Sequence, residues 1–365
     1  MKYSSFLIIS TLLLSSCSTS FLKYEKADQL KKMDEFDEKV KIVEPSATAT
    51  PEATSAVSPP AKTEVAPAPA KKPAKSAGKT SPSLEKKTET KVKAKSKKEA
   101  AVVAAAPVAE AVVTRRQPDI EDDAGFDGRR PIQDPIRVGE EVIHDVNYFK
   151  VSAGTLKMRV DPFVTVNDRK AYSLKMFIST SSLFSSFYSV DDSVDIFMDY
   201  NSLVPSVFQL HVKESGQLRE AKMLFNDKDS TATFWEKKVT EKDGVEEKKQ
   251  HWDILPYTQN VYSAVFYMRF FQWEVGKEYA FRVANDKENL VFSGKALRKE
   301  VLETKLGPMK AIVIQPNIML KGKFKSIGEN LIWLSDDDRR YILRIEAKIK
   351  IGTLISEVVE IKPGK

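Results

Sequence analysis

Thiols are almost absent from this sequence: a single cysteine, Cys17, stands near its start. One cysteine cannot close an internal disulfide, so whatever folds must rest on its hydrophobic core. Histidine is nearly as scarce. His144, His211 and His251 lie far apart, none at zinc-ligand spacing from a second ligand, so the sequence offers no metal site. Each sits in a strand-like run and is expected at or near the surface. After Cys17 no apolar run approaches the roughly 20 residues that a membrane-spanning helix needs. The Gly-x-Ser-x-Gly elbow, the His-Glu-x-x-His helix and the phosphate loop are also missing. Gly78-Lys79-Thr80 matches only the tail of a phosphate loop and lacks its upstream glycine. No catalytic residue, metal ligand or cofactor is assigned from the sequence.

What is present begins at the start of the chain. Lys2 supplies a cation, residues 6 to 14 an apolar run, and Leu14-Ser15-Ser16-Cys17 the order of a lipobox. The peptidase needs small residues before its cut, and the cysteine thiol must accept the diacylglycerol. A signal peptide over residues 1–16 and a lipid on Cys17 are therefore expected. Acyl chains on that residue would anchor the chain to a membrane without spanning it. Ser18 replaces the aspartate that commonly retains lipoproteins at the inner membrane. The expected location is the outer membrane, facing the periplasm, with the outer leaflet of the inner membrane as the alternative.

Over residues 17–44, Leu30, Met33, Phe36 and Val40 recur at helical steps between charged neighbours. The spacing predicts a short amphipathic helix that pairs with another copy, lies on lipid, or does neither. Residues 45–131 turn to alanine, proline, lysine, serine and threonine. Such a composition buries too little apolar surface to offset the entropy of ordering, and predicts a disordered tether. Its reach would be on the order of 45 Å. From 45 to 118 it holds 14 Lys and Arg against 6 Asp and Glu, more than the whole chain's excess of +7. The remainder is near neutral, so the basic balance is no argument for nucleic acid.

Residues 132–365 are read as a single β-rich domain. In one strand Leu343, Ile345, Ala347, Ile349 and Ile351 alternate with Arg344, Glu346, Lys348 and Lys350. Tyr172, Leu174, Met176 and Ile178 repeat the pattern, and turn signals at Asn167-Asp168, Glu214-Ser215-Gly216, Asn226-Asp227, Asp243-Gly244 and Gly352-Thr353 separate the runs. Residues 181–188 predict a short helix and 259–273 a longer one. The expected fold is mainly β: a strongly curved antiparallel sheet or incomplete β-barrel with one or two short helices. A two-sheet β-sandwich is the alternative.

Asp336, Asp337 and Asp338 are contiguous rather than alternating as calcium ligands do, and are read as a charged turn. Asp191, Asp192 and Asp195 are read as solvated strand-end charges. The aromatic residues Phe184, Phe187, Tyr188, Phe266, Phe270, Trp273 and Trp333 would line an apolar ligand site in a curved sheet, or else form plain core.

Four segments carry a family resemblance: Val151-Ser152-Ala153-Gly154-Thr155-Leu156; Phe187-Tyr188-Ser189-Val190-Asp191-Asp192-Ser193; Tyr267-Met268-Arg269; and Ile332-Trp333-Leu334-Ser335-Asp336-Asp337-Asp338-Arg339-Arg340. In order and spacing the chain resembles the domain of unknown function 3108 over most of residues 137 to 361. Tyr341 stands where that family commonly has proline. The resemblance implies an exported, mainly β envelope protein and brings no activity, cofactor or site residue.

Three functions follow as expectations. The first is a non-enzymatic binding module for an apolar or amphiphilic envelope ligand such as lipid or a lipoprotein. The second is a scaffold that docks peptidoglycan or another envelope protein. The third is an enzyme acting on an envelope polymer, whose paired carboxylates would show only in the fold.

Overall fold

The computed structural model describes residues 20–45, 131, 133–320, 323–325, 330–349 and 352–365. Leu14, Ser15, Ser16, Cys17 and the expected tether from 46 to 130 lie outside the described residues, as does Ile351.

Two short helices, α1 (Ala27–Lys31) and α2 (Asp34–Lys39), and the strand β1 (Ile42–Val43) come first. Strands β2 (Glu140–Tyr148), β3 (Val151–Val166) and β4 (Arg169–Thr180) lead to helix α3 (Ser182–Ser185). Then come β5 (Asp191–Asp199), β6 (Pro205–Lys213), β7 (Gln217–Asn226), β8 (Thr231–Thr240) and β9 (Gly244–Asp253). After α4 (Ser263–Tyr267) and a 3-10 turn at Met268–Phe270, the chain forms β10 (Glu278–Asn285), β11 (Glu288–Thr304) and β12 (Gly307–Leu320). It ends with β13 (Lys323–Lys325), β14 (Leu331–Ser335), β15 (Ile342–Ile349) and β16 (Gly352–Pro363).

All the strands belong to one antiparallel sheet, in the order β10-β11-β12-β14-β15-β16-β2-β3-β4-β5-β6-β7-β8-β9, with β1 added on β3 and β13 on β12. One sheet rules out the two-sheet sandwich. Its two edge strands, β9 and β10, are consecutive in sequence, and no ladder joins them among the described residues. The barrel is therefore incomplete, and the break falls at the connection that carries α4. That connection covers the edge: Gln259 bridges to Val283 of β10, and Arg282 Nη1 donates to Pro256 O at 3.0 Å. Side chains span the gap as well, Lys248 Nζ meeting Asp286 Oδ1 at 2.9 Å and Asn289 Nδ2 donating to Asp253 O at 3.0 Å. An edge covered in this way is a poor template for aggregation.

The period of two places Tyr172, Leu174 and Met176 in the main core. β15 departs from strict alternation. A bulge opposite Trp333 and Leu334 sets an extra residue in β15, so Ile342 and Leu343 are both buried. The helix expected over 259–273 is confined to α4 and the 3-10 turn. At its start Gln259 is engaged by β10, and Phe271 is already extended at φ −77°, ψ 145°. The helix expected over 181–188 is only the four residues of α3.

The outer face of β3 to β8 is covered by residues 20–45. Met33 and Phe36 pack with Val164, Val166, Ala171, Phe197, Val207 and Trp235, the Phe36 and Trp235 rings meeting edge-on at 5.7 Å. Leu30 packs on Leu218 and Val239. Trp235 Nε1 donates to Glu35 Oε2 at 3.0 Å, and Lys222 reaches Asp37 at 2.8 Å. Hydrogen bonds from Lys249 and Lys39 hold the Glu35 carboxyl down to about 2. The single amphipathic helix expected here is two helices, broken where Lys32 turns extended at ψ 118°. Its apolar face packs on the chain's own sheet, which fits the alternative that it neither pairs with another copy nor lies on lipid.

Candidate functional site

The connection from β9 to β10 fills the inside of the curved sheet. Asn260 organises its start: its Oδ1 accepts from the backbone N–H groups of Tyr262 at 2.9 Å and Ser263 at 2.6 Å, satisfying donors at the start of α4. Gln259, fully buried, donates to Leu203 O at 2.9 Å and accepts from Ser263 Oγ at 2.8 Å. These bonds fix the Asn260 side chain, which is 4% exposed, and leave its Nδ2 with no protein partner.

Asn260 is part of the wall of a cavity of about 290 Å³ between this connection and strands β6 to β10. Phe208, Leu210, Met223, Phe234, Trp252 and Tyr262 supply its apolar wall, with Arg219, Lys248, Gln250 and Asp286 beside them. Tyr262 stacks on Phe208 at 5.3 Å, and burial raises its hydroxyl above the usual range, so it stays protonated at neutral pH. Arg219 is bound to Glu236, and Lys248 to Asp286. Two other residues of the wall, Gln250 and Trp252, also carry a buried polar atom, Oε1 and Nε1, that lacks a protein partner. Gln250, Trp252 and Asn260 thus each carry one buried polar atom that no protein group meets. Each such atom costs about 1–3 kcal/mol unless something satisfies it.

A second cavity, of about 210 Å³, is lined by Val261, Ala264, Val265, Met268, Val283, Leu290, Phe292 and Ile332. It is apolar throughout and shares Val261 with the first. An apolar void of ~150 Å³ already takes a benzene. Side by side, the pair presents a polar-edged chamber and a hydrocarbon-like one.

The seven aromatic residues expected to line a ligand site line neither cavity. Phe266, Phe270, Trp273 and Trp333 are buried core, packed in the same cluster as the inward face of the strands. Trp273 Nε1 donates to Met268 O at 2.9 Å and its ring sits against Tyr279; it lines a separate, polar cavity beside the acidic turn of Asp336 to Asp338. Phe187 and Tyr188 stand outside, exposed, and Phe184 is half-buried beside them. The sequence signal for the observed cavity was faint. β9 is almost wholly polar, so Trp252 stood out only as a lone aromatic, and Asn260 followed by Ser263 has the form of a helix start.

The remaining charged motifs are structural. Glu140, 2% exposed, receives Arg269 Nη1 at 2.6 Å and Arg339 Nη2 at 2.7 Å, and Arg269 also donates to Pro135 O at 2.8 Å. Asp337 Oδ1 accepts from Ser335 Oγ at 2.7 Å and from the N–H groups of Arg339 and Arg340 at 3.0 Å each, which makes the acidic triplet a charged turn that aims Arg339 inward. His144 corrects the expectation of a surface residue. It is buried between Ser356 Oγ at 2.9 Å and Ile342 O at 2.8 Å, and burial lowers its pKa to about 4. Asp192 is no freely solvated charge either: partial burial, helped by Glu214 and Asp191, raises it to about 6. Among the described residues no group of three or more His, Cys, Asp or Glu is arranged to hold a metal ion.

The family model described as "Protein of unknown function (DUF3108)" matches residues 143–359. The chain belongs to the DUF3108 family. All four resemblance segments fall within that span, and each now has a physical role. Gly154 lies so close to β4 that a Cβ would come within 2.2 Å of Ser179 O; Val190 bridges to Glu214; Arg269 and Arg339 meet on Glu140. No curated protein matches the chain. Among solved structures it is similar to a β-barrel-like protein of domain of unknown function DUF1849 from Brucella abortus. The identity is 10% and the TM-score 0.38, over 62% of this chain and 98% of that one. It is also similar to a protein from Bacteroides fragilis named as exported with a YmcC-like fold, at 9% identity and TM-score 0.29, over 62% and 97% of the two chains. A protein from Parabacteroides distasonis named as a lipoprotein is 10% identical with TM-score 0.25, over 62% and 95%. These are likenesses of fold alone. No helix among the described residues is long and apolar enough to cross a membrane.

Proposed function

We propose that this DUF3108 protein is a lipid-anchored envelope lipoprotein that binds an amphiphilic envelope ligand without catalysing its conversion. The observation that carries the reading is a cavity whose wall sets Phe208, Phe234, Trp252 and Tyr262 beside Arg219, Lys248, Gln250 and Asp286, and which shares Val261 with a second, apolar cavity. A ligand with a polar portion in that cavity and a hydrocarbon portion in the adjoining apolar one meets both sets of walls. The lipobox ending at Cys17 supports the anchor, and Ser18 supports the outer membrane, facing the periplasm. Asp286 is the one carboxylate in the wall of the first cavity and the second has none, so neither offers the paired acids that an enzyme reading would use.

The test is native mass spectrometry of the full chain after gentle extraction, beside a Gln250→Leu variant. The wild type is expected to carry an added mass, released on denaturation, that the variant loses while keeping its melting temperature. A wild type that shows only its own mass plus the anchor contradicts the reading.

A further inference from the structure

We infer that the end of the sheet formed by the β2–β3, β4–β5 and β6–β7 turns rests directly on the bilayer, an inference that depends on the anchor reading of Cys17. The first step is a matter of chain length. The Leu22 N–H donates to Glu214 O at 3.1 Å, and Lys213 Nζ lies 4.6 Å from the centre of the Phe21 ring, so the chain is tied to the β6–β7 turn from residue 21 onward. Cys17 is five residues before Leu22. At ~3.3–3.6 Å per residue the acylated cysteine can stand no more than about 18 Å away. The anchor therefore holds this end at the membrane, whatever the length of the 46–130 stretch.

The surface at this end suits that position. Among the described residues the exposed large hydrophobics include three aromatics, Phe149 at 69%, Phe187 at 73% and Tyr188 at 43%, and all three stand here, with Val151 and Leu183 beside them. Hydrogen bonds join the turns into one rim. Ser181 donates from its N–H to Ala153 O at 2.9 Å and from its Oγ to Ser152 O at 2.8 Å; the Ser215 N–H donates to Ser189 O at 3.0 Å; and the Tyr188 hydroxyl donates to Glu214 Oε2 at 2.6 Å. Phe149 and Lys150 form a two-residue hairpin at φ 47° and 65°, left-handed positions that asparagine and glycine normally take. The Phe149 ring meets Tyr148 edge-on at 4.5 Å and lies against Gly352, yet most of it stays in solvent on a strained turn, and a contact surface accounts for that exposure. Aromatic rings with lysines beside them, here Lys150 and Lys213, match the headgroup region of a bilayer.

Two consequences follow. Arg219 and Lys248 lie within the first five residues of β7 and β9 counted from this end, so the charged side of the larger cavity is turned toward the lipid. Val43 and Asp134, on either side of the 46–130 stretch, contact Thr165 and Tyr172 near the opposite end.

The inference is tested on the full chain, purified with its own lipid and reconstituted in vesicles of phosphatidylethanolamine and phosphatidylglycerol. An environment-sensitive fluorophore is placed at Phe187→Cys and, as the control at the far end, at Asp168→Cys. The label at 187 is expected to brighten several-fold on reconstitution and to be quenched by nitroxide-bearing lipid, while the label at 168 stays as in water. Vesicles that carry the protein while both labels report water overturn the inference and leave the anchor standing. Shielding at 187 that follows protein concentration rather than lipid points to self-association and also overturns it. A chain whose mass shows no acyl groups on Cys17 overturns the anchor and the inference together.

Discussion

The inner and outer faces of this one sheet are both covered by chain that is not strand, and they are covered differently. Inside, the connection from β9 to β10 inserts Phe266, Tyr267, Phe270, Phe271 and Trp273 into the main core and still leaves two cavities at its own start. Outside, residues 20–45 lay two short helices over β3 to β8 through smaller clusters and ion pairs. The inner cover is continuous with the sheet's hydrophobic core, and the outer one is a strap. The contrast is one of continuity: the inner cover belongs to the main core, whereas the outer one leaves a cavity of about 970 Å³ between residues 22–31 and the strands that carry His211 and Glu220.

The largest effect is expected inside. Glu140→Gln removes the carboxylate that, among the described residues, pairs with the buried Arg269 and should cost about 3–5 kcal/mol in urea unfolding, because it strands a buried charge. Phe36→Ala on the outer face should cost less, roughly 2–3 kcal/mol, since the strap can lift while the sheet persists. Limited proteolysis should then cut within residues 20–45 while β2 to β16 stay protected. If Phe36→Ala instead unfolds the whole domain, the strap belongs to the cooperative core and the contrast fails.

Acid sharpens the comparison further. His144 on the inner side has its pKa lowered to about 4, so its native contribution is full above pH 6.5 and is lost as pH falls toward 4. His144→Gln should flatten the stability profile across that window, at some cost in stability at neutral pH. Asp192 has the opposite sign. Its value, raised from 3.8 to about 6, means the native state favours the protonated acid, and stability falls as pH rises through that interval. Asp192→Asn should therefore be slightly stabilising at pH 7 and neutral below pH 4, read from melting temperatures at each pH.

Much of the fold was legible in the residues. The period of two in β4, the turn pairs at Asn167-Asp168 and Asp243-Gly244, and the run of aromatics in 262–273 all announce a curved sheet with a filled interior. The site was much less so. Helical spacing shows that Phe266, Phe270 and Trp273 share a region, but not whether that region faces a void or other side chains, which depends on strands far away in sequence. The cavity exists because Gln250 and Trp252 of β9 come together with Asn260 and with Phe208, Met223 and Phe234 of three other strands, a long-range coincidence with no local pattern. The strap was missed for the same reason. Its spacing revealed an apolar face and could not reveal what meets it.

The central claim is that the cavity beside Trp252 receives an amphiphile. It is tested most directly by titrating the protein with a lysophospholipid brominated along its acyl chain and following tryptophan emission, in the wild type and in Trp252→Phe. The account predicts saturable quenching in the wild type that is largely lost in the variant, because Trp235, Trp273 and Trp333 line neither cavity. Quenching that is absent, or that survives the substitution unchanged, would contradict it.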